Sequence, residues 1–366
     1  MKKQLLYKPD DLQEYIIRYF SSFNFPVDDA QIIAKILLSA DLRGIHTHGV
    51  MRIPTYYNDW LQDGYVSPRA SLTTLRETAS MLSLDGENSM GHVVAYRAMQ
   101  RCIEKAGETG IGVVTVRNSN HYGIAGYYAM MALEHEMIGI SLTNARPWIA
   151  PTYSRQAMLG TNPIAVAVPA GEEYPFVLDM ATSVVPQGLL VLQSERNQNI
   201  PRGWGIDNSG EVTDKPKAVL NGGALNPLGG TESMRSYKGY GLALMVEIFT
   251  GILAGADFST NITSPDAGGG LNIGHFFAAL RIDALRPLEA FKLDIDQLLQ
   301  RLKNAPKTDG ENRIFIHGEK EFEKAKRHTR EGIPLFEEIV ELLEKTGLET
   351  GTPFDLLPLG EKYTRD

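Results

Sequence analysis

Apolar residues follow two different periods along the chain. In the first sixty residues they recur at helical spacing: one helix can open at Asp10 and run to Phe20, and a second can open at Asp28. Beyond that point they cluster in short runs typical of strands, at 81–84, 111–116, 138–142, 164–168 and 176–178. Helical stretches lie between several of these runs, at 93–105 and 124–134. Strands that alternate with helices predict an α/β layer structure.

The second half of the chain is less regular. Residues 201–230 are rich in Gly, Pro and Asn and predict an irregular excursion, and a long apolar helix follows from Lys238. Residues 264–274 contain a run of glycines and predict a flexible connection. An amphipathic helix at 335–345, with Gly347 as its stop, follows near the end of the sequence.

Composition narrows the function classes. A chain of 366 residues can hold two or three domains, and 43% hydrophobic with 22% charged residues is typical of a globular protein. The net charge of -8 argues against nucleic acid as partner. Cys102 is the only cysteine, so no intramolecular disulfide can form. We find no signal peptide, and the most apolar window, 239–256, carries a glutamate and falls short of a membrane span, so a cytoplasmic protein is expected.

The segment 43–57, RGIHTHGVMRIPTYY, carries the strongest chemical signal. It places His48, Arg52 and Tyr56 at intervals of four, which puts them on one face of a helical path. An imidazole, a guanidinium fork and a phenol suit a small oxyanion. Pro54 favours a helix that starts near Arg52, with His48 in the turn before it. The alternative is a plain helix entry with a capping histidine and a surface arginine.

A second cluster, NSNHYGIAGYY at 118–128, follows a predicted strand and precedes a helix. His121 therefore sits where a strand's carboxyl end opens, the edge at which α/β proteins gather ligands. Gly123 and Gly126 permit close approach of the backbone to a ligand. A glycine-relieved turn with a surface histidine is the alternative.

Three further motifs resemble parts of an anion or nucleotide site: LGTNPIAVAVP at 159–169, LDMATS at 178–183 and SYKGYGLAL at 236–244. In the last, Lys238 and two glycines stand at a helix start, where free N–H groups favour negative charge. Neither the Rossmann fingerprint nor a P-loop occurs, so these residues alone name no cofactor. A metal site is a competing hypothesis, built from the following side chains: His46, His48, His121, Asp179 and His275.

Taken in order, the motifs resemble the type 2 malate/L-lactate dehydrogenase family, whose members include sulfolactate, ureidoglycolate and piperideine-carboxylate enzymes. The resemblance covers nearly the whole chain and rests on THGVMRIPTYY, GIGVVTVRNSNHYGIAGYYA, LGTNPIAVAVP, LDMATS, NPLGG, YKGYGLALMVEIFTGILAGA, NIGHFF and HGE. It implies a non-Rossmann NAD(P)-binding α/β fold of the sulfolactate dehydrogenase type, with a mixed sheet flanked by helices and a helical domain formed by the N- and C-terminal segments. The implied domains are 1–75 with 318–366, 76–120 with 256–317, and 121–255. It also implies a homodimer.

The resemblance assigns roles to individual residues. His48 matches a proton donor or acceptor, His121 matches a histidine that some members are said to use instead, and Asp179 matches a carboxylate suited to pairing with the catalytic imidazole. Substrate-side positions are Arg52, Tyr56 and His275. Cofactor-lining positions are Asn144, Gly160, Thr161, Asn162, Asp179, Thr182, Ser183, Lys238, Gly318 and Glu319. Two departures stand out: Thr47 replaces the usual serine, and His317 replaces the proline of a proline-glycine-glutamate turn.

The two lines of reasoning predict an oxidoreductase that transfers a hydride between NAD(P) and a 2-hydroxy or 2-oxo acid. We expect Arg52 to clamp the substrate carboxylate, and His48, oriented by a partner such as Asp179, to carry the proton. Malate is the preferred substrate, with Arg146 as the second cation that a dicarboxylate needs. Lactate, ureidoglycolate, diketogulonate and cyclic imino acids stay open, as does the choice of NAD or NADP. A metal-dependent hydrolase and a non-catalytic ligand-binding protein are the alternatives from other classes.

Overall fold

The computed structural model describes residues 2–263 and 270–364. Residues 264–269 of the expected flexible connection lie outside this range. The described helices, α1 to α11 in chain order, are Pro9–Ser22, Val27–Leu42, Asn58–Gln62, Gly91–Thr109, Ala125–Met131, Gln187–Glu195, Pro216–Leu220, Tyr237–Glu247, Leu288–Lys303, Glu319–Glu331 and Glu337–Thr350. Among the described residues no helix is both long and apolar enough to cross a bilayer.

The described strands, β1 to β13 in chain order, are Lys2–Tyr7, Thr73–Glu77, Met81–Asp85, Ile111–Ser119, Met137–Thr143, Ile164–Val168, Phe176–Met180, Gly205–Ile206, Val212–Thr213, Ala224–Leu225, Ile273–Arg281, Ile333–Phe336 and Gly360–Thr364. They form three sheets. The largest has seven strands in the order β2-β3-β4-β11-β5-β6-β7. Only β3 and β4 run parallel within it, so the sheet is mixed, as predicted.

The order of the strands at the centre of the large sheet differs from their order along the sequence. Strand β11 lies between β4 and β5 and pairs with both over most of its length. Its run IGHFFAALR is buried on both faces and lacks the alternation of a half-exposed strand. Helix α4 packs tightly on β4, because a Cβ at Gly112 would lie 2.0 Å from the Cys102 carbonyl oxygen. Helix and sheet therefore approach each other at this point as closely as their backbones allow.

The two ends of the described chain meet in a second, three-stranded sheet with the order β12-β1-β13. Tyr7 and Tyr15 both pack edge-on against Phe354, at ring distances of 5.4 and 4.8 Å. The expected amphipathic helix at 335–345 is shifted, because its first two residues belong to β12 and α11 begins at Glu337. The N- and C-terminal segments thus share one core, as the resemblance implied, and this core contains a small sheet besides its helices.

Candidate active site

The path from α2 to α3 carries the segment that the sequence singled out. His46–His48 form a 3₁₀ turn, and Ile53–Tyr57 form a π-helical turn directly before α3. Arg52 caps the π-helical turn, and Pro54 occupies its first positions, where a missing N–H costs nothing. The predicted start near Arg52, with His48 in the turn before it, is confirmed.

A buried carboxylate braces this turn from below. Asp41, 1% exposed, accepts a hydrogen bond from the Val50 N–H at 2.7 Å and pairs with His46 Nδ1 at 2.9 Å. A Cβ on Gly49 would lie 2.2 Å from that carboxylate, so only glycine fits there. The contact with Asp41 gives His46 a structural role, whereas His48 makes no hydrogen bond to this carboxylate and is partly exposed.

Two histidines that are far apart in sequence come together at one partly exposed site, which we call the cleft and which contains His48, His121 and Tyr56. The His48 and His121 rings stack with centroids 5.7 Å apart and planes 26° from parallel. Tyr56 meets the His121 ring edge-on at 5.3 Å. All three side chains keep some solvent access. The structure therefore brings both candidate acid–base residues to the same wall of the cleft.

Arg52 lies next to this wall. Its Nε donates to the Thr47 carbonyl at 2.6 Å, and its guanidinium lies 5.3 Å from the centre of the Tyr56 ring. Its two terminal nitrogens make no hydrogen bond to the described residues. A guanidinium fixed through Nε leaves a free two-pronged donor, which matches a carboxylate.

A second guanidinium, that of Arg146, acts electrostatically on Tyr56. Burial raises the pKa of Tyr56 to about 12, and the charges of Arg146 and Arg52 both oppose that rise. Arg146 follows β5 and is partly exposed. Two cations therefore act electrostatically on Tyr56.

The electrostatic setting keeps both imidazoles neutral. Burial, reinforced by the Arg52 charge, lowers the pKa of His48 to about 3. The pKa of His121 is lowered well below its usual value by burial, then by Arg52 and His48. Because the rings lie deep in a cleft yet stay accessible, a bound carboxylate would offset the Arg52 charge and make protonation easier. A bound anion would therefore favour proton uptake at this site.

Asp179 does not orient a catalytic imidazole as expected. Its carboxylate accepts a hydrogen bond from the Gly126 N–H at 2.8 Å, and no hydrogen bond joins it to His48 or His121 among the described residues. Burial raises the pKa of Asp179 to about 6, against the Gly126 bond and the Arg43 charge. The Nδ1 atom of His48 instead lies 3.0 Å from the Thr47 hydroxyl. Thr47, and not Asp179, is therefore the polar neighbour of His48 Nδ1.

His275 also differs from its expected role. It is fully buried, its Nδ1 and Nε2 lie 2.8 Å from the hydroxyls of Thr143 and Ser119, and its ring stacks on Tyr122 at 4.6 Å. Both ring nitrogens are thus occupied inside the sheet. In this structure His275 joins β11 to β4 and β5.

Two of the expected cofactor-lining residues turn inward. Asn144 and Asn162 direct their amide nitrogens to the buried carboxylate of Glu247, at 3.4 and 2.6 Å. Asn144 also accepts the Gly274 N–H at 3.0 Å. Their side chains therefore hold the ends of β5 and β6 in place through Glu247 and Gly274.

The other expected cofactor positions gather around the end of β7. Thr182 is buried and donates to the Thr161 carbonyl at 3.1 Å, which ties the turn at Gly160 and Thr161 to this strand. Ser183 is also buried and donates to the Val185 carbonyl at 2.8 Å.

The turn at Gly318 and Glu319 lies beside the same strand. A Cβ on Gly318, whose φ is +96°, would lie 3.0 Å from the Cβ of Val177. Glu319 is buried and pairs with Lys303 at 2.8 Å and Arg313 at 3.2 Å, so it serves the fold. Glycine at this turn lets the backbone come close to β7.

The remaining accessible groups fit a dinucleotide. Asp179 contributes a carboxylate of the kind that accepts hydrogen bonds from ribose hydroxyls, and Lys238 stands exposed at the start of α8. Thr161, which precedes both in the sequence, is partly exposed. A carboxylate, an ammonium and a glycine-lined turn are the groups that a ribose–pyrophosphate ligand needs. Among residues 2–263 and 270–364, no group of three His, Cys, Asp or Glu side chains could hold a metal ion.

Reasoning from the sequence missed two residues behind His121. The Tyr57 hydroxyl lies 2.7 Å from His121 Nδ1 and 3.4 Å from His92 Nε2, and both Tyr57 and His92 are buried. The sequence signal that could have pointed to Tyr57 is its place directly after Tyr56. Adjacent residues point in different directions from a helical turn, so Tyr57 reaches the inner side of the ring whose outer side Tyr56 contacts.

Comparison with known proteins places this geometry in a family. The model of the malate/L-lactate dehydrogenase family matches residues 7–344. The chain belongs to that family. This confirms the predicted family, fold class and enzyme class: the chain is a dehydrogenase of small hydroxy acids that works with a nicotinamide cofactor. The match favours the dehydrogenase over the hydrolase and the non-catalytic protein.

Individual members are similar over nearly their whole length. A malate dehydrogenase of Pyrococcus abyssi is 45% identical over 343 residues, which cover 93% of this chain and 94% of that protein. The NAD(+) ureidoglycolate dehydrogenase of Escherichia coli K12 is 30% identical and covers 89% and 93%. The solved malate dehydrogenase of Pyrococcus horikoshii superposes with a TM-score of 0.88 at 42% identity, covering 97% of each chain.

Proposed function

We propose that this family member is a malate dehydrogenase that interconverts (S)-malate and oxaloacetate. The observation that carries the proposal is the free fork of Arg52 beside the stacked imidazoles of His48 and His121. The fork takes the 2-carboxylate, and an imidazole next to it can exchange a proton with the 2-hydroxyl. Similarity to malate dehydrogenases over more than nine tenths of the chain supports the same substrate.

The choice of a dicarboxylate rests on Arg146. It acts on Tyr56 from the side of β5, while Arg52 acts from the α2–α3 path. Malate has one carboxylate for each guanidinium, whereas lactate would leave one cation in the cleft without a partner. Lactate, ureidoglycolate, diketogulonate and cyclic imino acids are therefore the weaker candidates.

We assign the dinucleotide to the end of β7, held by Asp179, Lys238 and the backbone at Gly160 and Gly318. The nicotinamide supplies the hydride chemistry when it is bound. The protein contributes orientation of the substrate through Arg52 and proton exchange through His48, whose Nδ1 contact with Thr47 fixes the ring. Such a positioned acid–base group is typically worth about 10²–10⁴ in rate.

We also propose that the enzyme is a homodimer and works in the cytoplasm. Leu244, Ile248 and Ile252 follow one another at intervals of four along α8 and its π-helical extension, and they are 38%, 46% and 54% exposed. An exposed apolar stripe of this kind typically marks a protein interface. Sedimentation of the parent protein and of an Ile248→Glu variant tests the assembly. A parent protein that sediments as a monomer would refute the homodimer. The lone, buried Cys102 supports a reducing compartment.

An absorbance assay over a panel of 2-oxo acids, run with both NADH and NADPH, tests the function. We expect oxaloacetate to give the highest kcat/KM. The variant Arg146→Met should raise KM for oxaloacetate far more than KM for pyruvate, because only the dicarboxylate uses the second cation. Equal effects on both substrates would remove Arg146 from recognition, and a higher kcat/KM for another 2-oxo acid would overturn the assignment to malate.

A further inference from the structure

The buried side of His121 is held by three groups from different parts of the fold. Tyr57 comes from the π-helical turn, and its hydroxyl lies 2.7 Å from His121 Nδ1. His92, at the start of α4, reaches the same hydroxyl with its Nε2 at 3.4 Å. The backbone N–H of Gly123 also points at His121 Nδ1, at 3.4 Å. His121 Nε2 makes no hydrogen bond to the described residues and is not among their buried unpaired atoms, so it is open to the cleft.

The Gly123 contact fixes the direction of these bonds. A backbone N–H can only donate, so this contact favours His121 Nδ1 as an acceptor. A neutral imidazole carries one proton, which therefore resides on Nε2. It follows that the Tyr57 O–H donates to His121 and that the Tyr57 oxygen is free to accept from His92.

The environment of His92 agrees with this direction. His92 is fully buried, and its Nδ1 has no hydrogen-bond partner among the described residues. Buried N–H groups are rarely left unpaired, so the His92 proton belongs on Nε2, where the Tyr57 oxygen accepts it. Gly123 has a φ of +81°, and a Cβ there would lie 3.0 Å from His92 Nε2. The turn is therefore closely fitted to both histidines.

We propose that Tyr57 is a positioning residue that holds neutral His121 as the Nε2–H tautomer, so that His121 donates a hydrogen bond to the reacting oxygen while His48 transfers the proton. The inference rests on the proposed function and divides the work between the two histidines. During reduction a hydride adds to the carbonyl carbon, the C=O π electrons move to oxygen, and protonated His48 gives its proton to that oxygen and ends neutral. The Nε2 proton of His121 stays on His121 throughout.

A physical reason favours such a division. Two imidazolium rings 5.7 Å apart and close to Arg52 would repel each other strongly. Donation by Tyr57 and Gly123 occupies Nδ1, the atom that would have to be protonated to charge His121. These two hydrogen bonds keep His121 neutral, so that the positive charge can form on His48 when an anionic substrate is bound.

The test reads the tautomer directly. In wild-type enzyme labelled with ¹⁵N-histidine, NMR should show His121 with its proton on Nε2, the signal being assigned by its loss in His121→Asn. In Tyr57→Phe, a population of His121 with its proton on Nδ1 should appear. The kcat should fall roughly 10- to 100-fold, as it does when other groups that hydrogen-bond a functional imidazole are removed. The KM should stay within about twofold. His92→Leu should reproduce part of the loss, and His92→Gln, which keeps an N–H donor, should restore it.

Tyr19→Phe is the matched control. It removes another buried tyrosine hydroxyl from the same core, one that bonds Asn58 at 2.8 Å, and should leave both tautomer and kcat unchanged. A wild-type His121 with its proton on Nδ1 would overturn the proposal, as would a Tyr57→Phe enzyme with unchanged tautomer and kcat. Because the NMR measurement needs no substrate, it separates failure of this inference from failure of the assignment to malate, which the substrate panel reports.

Discussion

Replacing Arg52 with lysine keeps the positive charge at the cleft but removes the fork. The Nε bond to the Thr47 carbonyl, at 2.6 Å, leaves both terminal nitrogens of Arg52 available to a carboxylate. An ammonium cannot make the backbone bond and two parallel contacts at once. Loss of one charge-assisted hydrogen bond costs about 1.5–3 kcal/mol. At about 1.4 kcal/mol for each factor of ten, kcat/KM for oxaloacetate should fall roughly 10- to 150-fold.

Initial rates over a range of oxaloacetate concentrations, at saturating reduced nucleotide, measure this loss. We expect most of it in KM, with nucleotide affinity unchanged, because we assign Arg52 to the substrate and the nucleotide to the end of β7. Arg330→Lys is the control, since that side chain is 76% exposed and pairs only with its neighbour Glu331 among the described residues. An Arg52→Lys enzyme with the kcat/KM of the parent would refute the carboxylate clamp.

Three other perturbations test His48 as the proton carrier, the packing of Gly49 against Asp41, and the raised pKa of Asp179. His48→Asn should lower kcat by about 10²–10⁴ without changing nucleotide affinity in a fluorescence titration; an unaffected kcat would exclude His48 from proton transfer. Gly49→Ala should lower Tm, because its Cβ would lie 2.2 Å from the Asp41 carboxylate, whereas Gly107→Ala, with no atom within 4 Å, should not. Burial raises the pKa of Asp179 from 3.8 to about 6. The native state therefore binds this proton more tightly than the unfolded state, and the contribution of Asp179 to stability declines as pH rises from about 4 to about 6. The Tm of Asp179→Asn minus that of the parent should then be larger at pH 7.5 than at pH 4; an equal difference at both would contradict the shift.

Local spacing predicted part of the site well. His48, Arg52 and Tyr56 were placed on one face from their intervals of four, and in the structure Arg52 lies over Tyr56 while His48 and Tyr56 both contact His121. The backbone between them is not one regular helix, but a 3₁₀ turn followed by a π-helical turn. Compared with an α-helix, a 3₁₀ turn advances the chain by a larger angle per residue and a π-helical turn by a smaller one, so the two deviations oppose each other and the shared face survives.

Long-range pairing could not be predicted in the same way. Strand β11 is central in the sheet, yet its partners β4 and β5 come more than a hundred residues earlier, and no local period marks that distance. This is why His275 matched a substrate-side position in the motif but lies between Thr143 and Ser119. The same limit applies to Asn144 and Asn162, which turn towards Glu247 on α8. A motif identifies such residues without showing which way each side chain faces.

The small sheet at the meeting of the chain ends has a consequence for biosynthesis. Strand β1 lies between β12 and β13, so the strand made first finds its hydrogen-bonding neighbours only when residues 333–336 and 360–364 have left the ribosome. Helices α1 and α2, which lead into the Arg52 turn, pack in the core that this sheet completes. A nascent polypeptide can thus fold its large mixed sheet while the Arg52 turn is still immature. Catalytic competence therefore waits for the synthesis of residues 333–336 and 360–364.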